Sequence, residues 1–245
     1  ARALVPVDEW PQFEARGSAD LGLDVAGVRC RVNLLRSGGA VGLAVRLLPA
    51  GAVSLEALNL HPDLAALVEP EHGLVLVSGP TGCGKSSTLA ALVSQVNRTR
   101  AAHIVTIEQP VEFELKPGKS FIRQREVGRD TPSFEQGLLD ALREDIDVLM
   151  VGEMRERDTM RLTLDACETG HLVLATLHSS TVIVALQRVV SAFPAQEQPS
   201  VCAQLADNLI AVVSQRLVWR DDPGLRVPEC EILRANSAVQ TILRQ

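Results

Sequence analysis

At 245 residues and 46% hydrophobic content, the chain has room for one medium-sized domain and a smaller piece, each around a packed core. A net charge of −6 and an aromatic content of 3% weigh against a broad nucleic-acid footprint and a base-stacking platform. The longest apolar runs, Leu74 to Val77 and Leu172 to Leu177, fall far short of the roughly 20 residues a membrane-spanning helix needs. No basic-then-apolar leader opens the chain, and residue 1 is Ala, so the sequence reads as a piece of something longer. Cys30, Cys83, Cys167, Cys202 and Cys230 stand singly without CxxC spacing, which fits a reducing cytosol.

In chain order, Asp20 to Val25, a turn at Ala26-Gly27, Val28 to Leu35, the loop SGGAVG and Leu43 to Leu48 predict an antiparallel ribbon. Pro49, Gly51 and Pro62 punctuate the next stretch, with short helical pieces around His61-Pro62, so a boundary is placed near residue 50: 1–50 form one unit with its linker, 51–245 the other. From Leu74, apolar strands alternate with helices, the pattern of a parallel sheet covered on both faces. The strands are 74–78, 103–107, 148–152 and 172–177; helices begin near Lys85, Ser133 and Glu156, with Ser133 and Gln136 forming a capping box. A long helix is expected from Glu197 to Arg216, then a hairpin around DDPG (221–224) and a last helix after Ser237.

The sequence GPTGCGKS (79–86) fits GxxxxGK[ST] between an apolar strand and a helix, the context that a phosphate-binding loop requires. Gly79, Gly82 and Gly84 let the backbone of Gly79, Pro80, Thr81, Gly82, Cys83 and Gly84 curl so that N–H groups face a β-phosphate. Lys85 reaches the β- and γ-phosphates, Ser86 offers a hydroxyl to magnesium, and Ser87 continues into a helix whose dipole favours anions. Cys83 reads as a small residue that fits, and the helix N-terminus beside it acts to lower its thiol pKa. Hydrolysis needs a carboxylate at the carboxyl end of a neighbouring strand, and Glu108, Glu112 and Glu153 occupy such places. His171 and His178 bracket 172–177; Cys167, Glu168 and His171 make an irregular ligand set for a metal, whereas His178 is placed for phosphate sensing or a subunit contact.

Five ordered segments extend the pattern: GPTGCGKSSTLAALV, IVTIEQPVEF, QREVGRD, ALREDIDVLMVGEMRERDT and ETGHLVLATLHS. Together they resemble the motor ATPases of type II/IV secretion and pilus systems, most of all the PilT-type retraction ATPases of type IV pili and twitching motility. The resemblance implies an α/β fold: a RecA-like P-loop core with a parallel sheet, preceded by a partial PAS-like antiparallel domain that lacks its first half. It also implies ATP and Mg2+ bound between domains, a homohexamer, and a cytoplasmic protein peripheral to the bacterial inner membrane that works on a pilus platform protein, without nucleic acid. By matching position, Glu112 becomes the water-activating glutamate, Glu153 the Walker B acid that holds magnesium with Ser86, partly through water, and His171 and His178 the His box. His178 counts with Glu112 and Glu153 as catalytic. Arg31, Arg46 and Arg143 match arginines that face the γ-phosphate, where a guanidinium fork neutralises spreading charge. The tetracysteine zinc module of assembly-type relatives is absent, and FPAQEQ (193–198) fits the retraction branch.

The chain departs from the pattern at three positions. Gln109 replaces an aspartate, Leu139 an arginine expected to share a helix face with Arg143, and Gln240 another arginine. These losses leave two readings open, a turning motor or an accessory nucleotide-binding ring subunit beside an active paralogue.

Overall fold

The computed structural model describes residues 5, 10–48, 53–222 and 224–245. Two compact units emerge, Ala1–Gly51 with Gln109–Glu114, and Ala52–Glu108 with Leu115–Gln245.

In the small unit, helix α1 (Trp10–Arg16) precedes strands β1 (Ser18–Val25), β2 (Val28–Ser37) and β3 (Ala40–Leu47), paired antiparallel in that order. Both connections are two-residue loops with φ positive throughout, 51° and 79° at Ala26-Gly27 and 58° and 79° at Gly38-Gly39. That geometry matches the right-handed twist of the strands they join. Period-2 alternation divides β2: Cys30, Val32 and Leu34 are buried with Phe13 and Leu21, which turns Arg31 and Asn33 to the other face.

In the large unit, a 3₁₀ helix (Pro62–Val68) leads to β4 (Gly73–Ser78), α2 (Lys85–Thr99), β5 (His103–Glu108) and β6 (Phe121–Glu126). There follow α3 (Phe134–Ala141), β7 (Val148–Val151), α4 (Arg157–Glu168), β8 (Leu172–Leu177) and α5 (Val182–Ser191). The chain closes with α6 (Gln198–Asn208), β9 (Leu209–Arg220), β10 (Leu225–Arg234) and α7 (Ser237–Leu243). The sheet order is β10-β9-β4-β8-β7-β5-β6, parallel except for the β9–β10 hairpin. Every residue of β4, β7 and β8 is buried, which is why these strands read as unbroken apolar runs. Among the described residues no helix is long and apolar enough to cross a membrane.

The helix expected from Glu197 to Arg216 is corrected: it stops at Asn208, and Leu209 turns extended (φ −66°, ψ 124°) to start β9. The run LIAVVS suits a buried helix or a buried strand, and the backbone donors and acceptors of β4, which pair with it, decide for strand. The edge strand β6 and the helix α5 were not anticipated. At α3 the Ser133 hydroxyl accepts from the Gln136 N–H at 3.1 Å, but the Gln136 side chain donates forward to Asp140 Oδ1 at 2.8 Å, so the capping box is half formed. Because α3 ends at Ala141, Arg143 lies in the turn that follows it, its N–H donating to the Asp140 carbonyl at 3.0 Å. Leu138 and Ala141 are the residues of that helix packed in the core cluster; Leu139 is half-buried.

Candidate functional site

Strand order brings three distant segments to one row. Ser78, the last residue of β4, pairs with Leu177 of β8 on one side and Ser214 of β9 on the other. The residues that follow each of them, Gly79, His178 and Gln215, therefore lie side by side at the carboxyl edge of the sheet, where ligands bind in open α/β folds.

The loop from Gly79 to Gly84 is shaped by positive φ at Gly79 (149°), Gly82 (77°) and Gly84 (93°). A Cβ at Gly79 would stand 2.2 Å from the Gln215 carbonyl oxygen and 2.5 Å from Cys83 Sγ, so close approach of β9 adds a second demand for glycine there. Lys85, only 8% exposed at the start of α2, donates from Nζ to the carbonyls of Gly79 (2.9 Å) and Pro80 (3.0 Å). Ser86 and Ser87 follow in the first turn of α2, half-buried. Cys83 is buried, and burial pushes its thiol pKa up despite the Lys85 ammonium. The lowering expected from the helix N-terminus is thus reversed, because desolvation of a thiolate outweighs the dipole.

From Lys85 a chain of polar contacts runs across the strands. Lys85 Nζ lies 3.4 Å from His178 Nδ1, and His178 Nε2 lies 3.1 Å from Glu153 Oε1, which Arg155 Nε also meets at 2.6 Å. An ammonium only donates and a carboxylate only accepts, so the neutral imidazole fits with Nδ1 accepting and Nε2–H donating. Burial, then the Lys85 charge, holds the His178 pKa below its usual value, which agrees with that tautomer. Glu153 follows β7, and Arg188 Nη1 donates to the His178 carbonyl at 2.5 Å.

Glu108 is buried at the end of β5, its Oε1 accepting from Thr106 Oγ1 (2.7 Å) and Gln124 Nε2 (3.0 Å). Glu112 belongs to the small unit, where its Oε1 is 3.8 Å from Arg31 Nη1. Arg31 also grips Asp20 with a fork, Nη2 at 2.5 Å and Nε at 3.2 Å, and lies directly opposite the exposed Arg46 across β2 and β3. Arg143 lies near the amino edge of the large sheet, next to Glu144, which pairs with Arg123 at 2.9 Å. His171 precedes β8 and caps α4, Nδ1 reaching the Ala166 carbonyl at 2.9 Å. The six residues of β8 separate it from His178 by roughly 20 Å. Cys167 donates to the Thr163 carbonyl, and among the described residues no three His, Cys, Asp or Glu gather as a metal site. The Cys167, Glu168 and His171 set therefore forms none.

The family description "Type II/IV secretion system protein" matches residues 15–243. The chain belongs to that family. It is similar to a twitching motility protein of Neisseria gonorrhoeae, 45% identical over 217 residues that cover 89% of this chain and 58% of the relative. It is 42% identical over 234 residues to the type IV pilus retraction ATPase PilT of Pseudomonas aeruginosa, covering 95% and 68%. The crystal structure of the pilus retraction motor PilT with bound ADP superposes with a TM-score of 0.94 at 41% identity, covering 99% of this chain and 71% of that one. The fold is accordingly a RecA-like core with an antiparallel unit before it, as the motifs of the family predict. The chain spans under two thirds of the length of the first of these relatives.

Gln215, like Arg155 and Arg188, lines the site and was missed by sequence reasoning. It was expected inside a helix, and only the pairing of β9 with β4 brings it to the loop. The residues present suit magnesium: Ser86 and Glu153 are hard oxygen donors, and this cation keeps several waters and needs only one or two protein ligands.

Proposed function

We propose that this chain is the ATP-hydrolysing core of a motor subunit for type IV pilus retraction or a related secretion system. The observation that carries the reading is the row of Lys85, His178 and Glu153, a buried ammonium joined through an imidazole to a carboxylate at the edge of a phosphate-shaped loop. In this reading the loop amides and Lys85 bind the β- and γ-phosphates, and Lys85 exchanges its carbonyl contacts at Gly79 and Pro80 for phosphate oxygens. Ser86 and, through water, Glu153 would hold magnesium, which supplies charge neutralisation between the phosphates. Glu112 takes a proton from the attacking water as the γ-phosphorus separates from the bridging oxygen that leaves with ADP. Arg31 and Arg46 offset the charge on the γ-phosphoryl oxygens. His178 reports the phosphate state from Lys85 to Glu153. By similarity to PilT, the working form is a homohexamer at the cytoplasmic face of the inner membrane, acting on a platform protein.

The second reading, an accessory ring subunit, is favoured by Gln109 and Gln240, where charge of either sign has been lost. One experiment separates them: steady-state ATP turnover of the purified chain against its concentration, with mass measured in parallel and Lys85→Ala as control. Turnover that rises with assembly and is abolished by Lys85→Ala is the motor result. Tight ATP binding without turnover at any concentration supports the accessory subunit. ATP affinity unchanged by Lys85→Ala refutes the nucleotide site.

A further inference from the structure

We propose that Gln215 is a positioning residue for the phosphate loop: it holds the Cys83 carbonyl away from the ligand and so aims the Gly84 N–H at the phosphates. This inference rests on the nucleotide-binding reading above. Gln215 is 4% exposed on β9 and spends both ends of its amide on the loop and the helix behind it. Nε2 donates to the Cys83 carbonyl at 2.6 Å, and Oε1 accepts from Thr88 Oγ1, in the first turns of α2, at 2.7 Å. In a trans peptide the C=O and the next N–H point opposite ways. Pulling the Cys83 carbonyl toward β9 therefore turns the Gly84 N–H to the side of the loop opposite Gln215. The orientation of the amide is set at the Cys83 end, because the reversed one would put an oxygen against the Cys83 carbonyl oxygen; the Thr88 hydroxyl, which donates to Oε1, anchors the side chain in that orientation.

The fit is tight on the backbone side as well. The Gln215 carbonyl blocks a side chain at Gly79, and its Nε2 would meet a Cβ at Gly84 at 2.9 Å. One residue of β9 thus bounds the loop at its first glycine and its last. Neither contact is part of the GxxxxGK[ST] pattern, and the Lys85, His178 and Glu153 row lies toward β8, on the other side of β4.

The test measures ADP and AMP affinity by calorimetry for the parent chain, Gln215→Glu, Thr88→Val and Thr88→Ser, with a thermal melt of each in the absence of nucleotide. Gln215→Glu keeps an acceptor for Thr88 but replaces the donor to Cys83 with a second oxygen. ADP affinity is expected to fall about tenfold or more, the scale of one lost and one repelled backbone contact. AMP, lacking the β-phosphate that the loop cradles, is expected to lose far less. The ratio of ADP to AMP affinity is the readout that general destabilisation does not move. Thr88→Val lowers the same ratio by a smaller factor, and Thr88→Ser, which retains the hydroxyl, restores it. If Gln215→Glu does not fold, the Thr88 pair decides. A parental ratio in folded Gln215→Glu, or in Thr88→Val when that pair decides, overturns the assignment of Gln215 alone. A parent chain that binds no ADP overturns the nucleotide site and this assignment with it.

Discussion

Of the three glycines in the phosphate loop, Gly79 is expected to be the least replaceable, for a reason that separates it from Gly82. Its φ of 149° is one that side chains rarely adopt, and an added methyl would stand 2.2 Å from the Gln215 carbonyl oxygen, where ordinary contact begins at 3.4 Å. The shortfall of about 1.2 Å is against main chain in the middle of a paired strand, so β4 and β9 must separate or the loop must refold. Overpacking of this kind costs about 1–3 kcal/mol and an unfavourable backbone conformation about as much again, on the order of 4 kcal/mol together. Gly82 also has positive φ, 77°, but nothing lies within 4 Å of its Cβ direction, which leaves only the left-handed cost of about 1–2 kcal/mol. For a chain of this size each kcal/mol moves the melting temperature by about 2–4 °C. Gly79→Ala should therefore lower Tm by about 8–16 °C and Gly82→Ala by about 2–8 °C, read by calorimetry without nucleotide. Equal losses in the two variants would refute the claim that β9 is what excludes a side chain at Gly79.

Glu153→Gln and Glu112→Gln should each leave ATP affinity within a few-fold of the parent and lower turnover by about a hundredfold or more, as expected for groups acting in the chemical step; parental turnover in both removes their assigned roles. His178, held below the usual imidazole pKa by burial and Lys85, favours the neutral form in the folded state. Below the unfolded-state value of about 6.5 the unfolded chain binds the proton first, so stability falls as pH drops from there to the folded pKa. The slope of Tm against pH between about 5 and 7 should flatten in His178→Asn and in Lys85→Ala; an unchanged slope in both counts against the contact. Leu139→Arg should neither raise turnover nor change stability by more than about 1 kcal/mol, since Leu139 is half-buried outside the core cluster and Arg143 is off the helix. A gain in rate would restore the paired-arginine reading, and a large fall in Tm would place Leu139 in the core.

The sequence by itself determined those features whose physics is local. Parallel strands buried on both faces are nearly continuous apolar runs, so β4, β7 and β8 were legible, as were the two hairpin turns of the small unit from the glycines they need. The phosphate loop was legible because its curl, its lysine and its helix lie within eight consecutive residues. Tertiary structure decided whatever depends on strand order. LIAVVS became β9 because β4 offered an unpaired edge, and that pairing placed Gln215 against Gly79 and Gly84 from more than a hundred residues away. The same ordering joined His178 to Lys85 and Glu153, and it sent His171, six strand residues earlier, to the opposite edge of the sheet. It moved Arg143 out of the site as well, because α3 carries the chain back to the amino edge before β7 begins. A periodic pattern shows which face of an element is buried, but not which neighbour buries it; that choice is made by hydrogen-bonding edges and close backbone contacts between segments far apart in the chain.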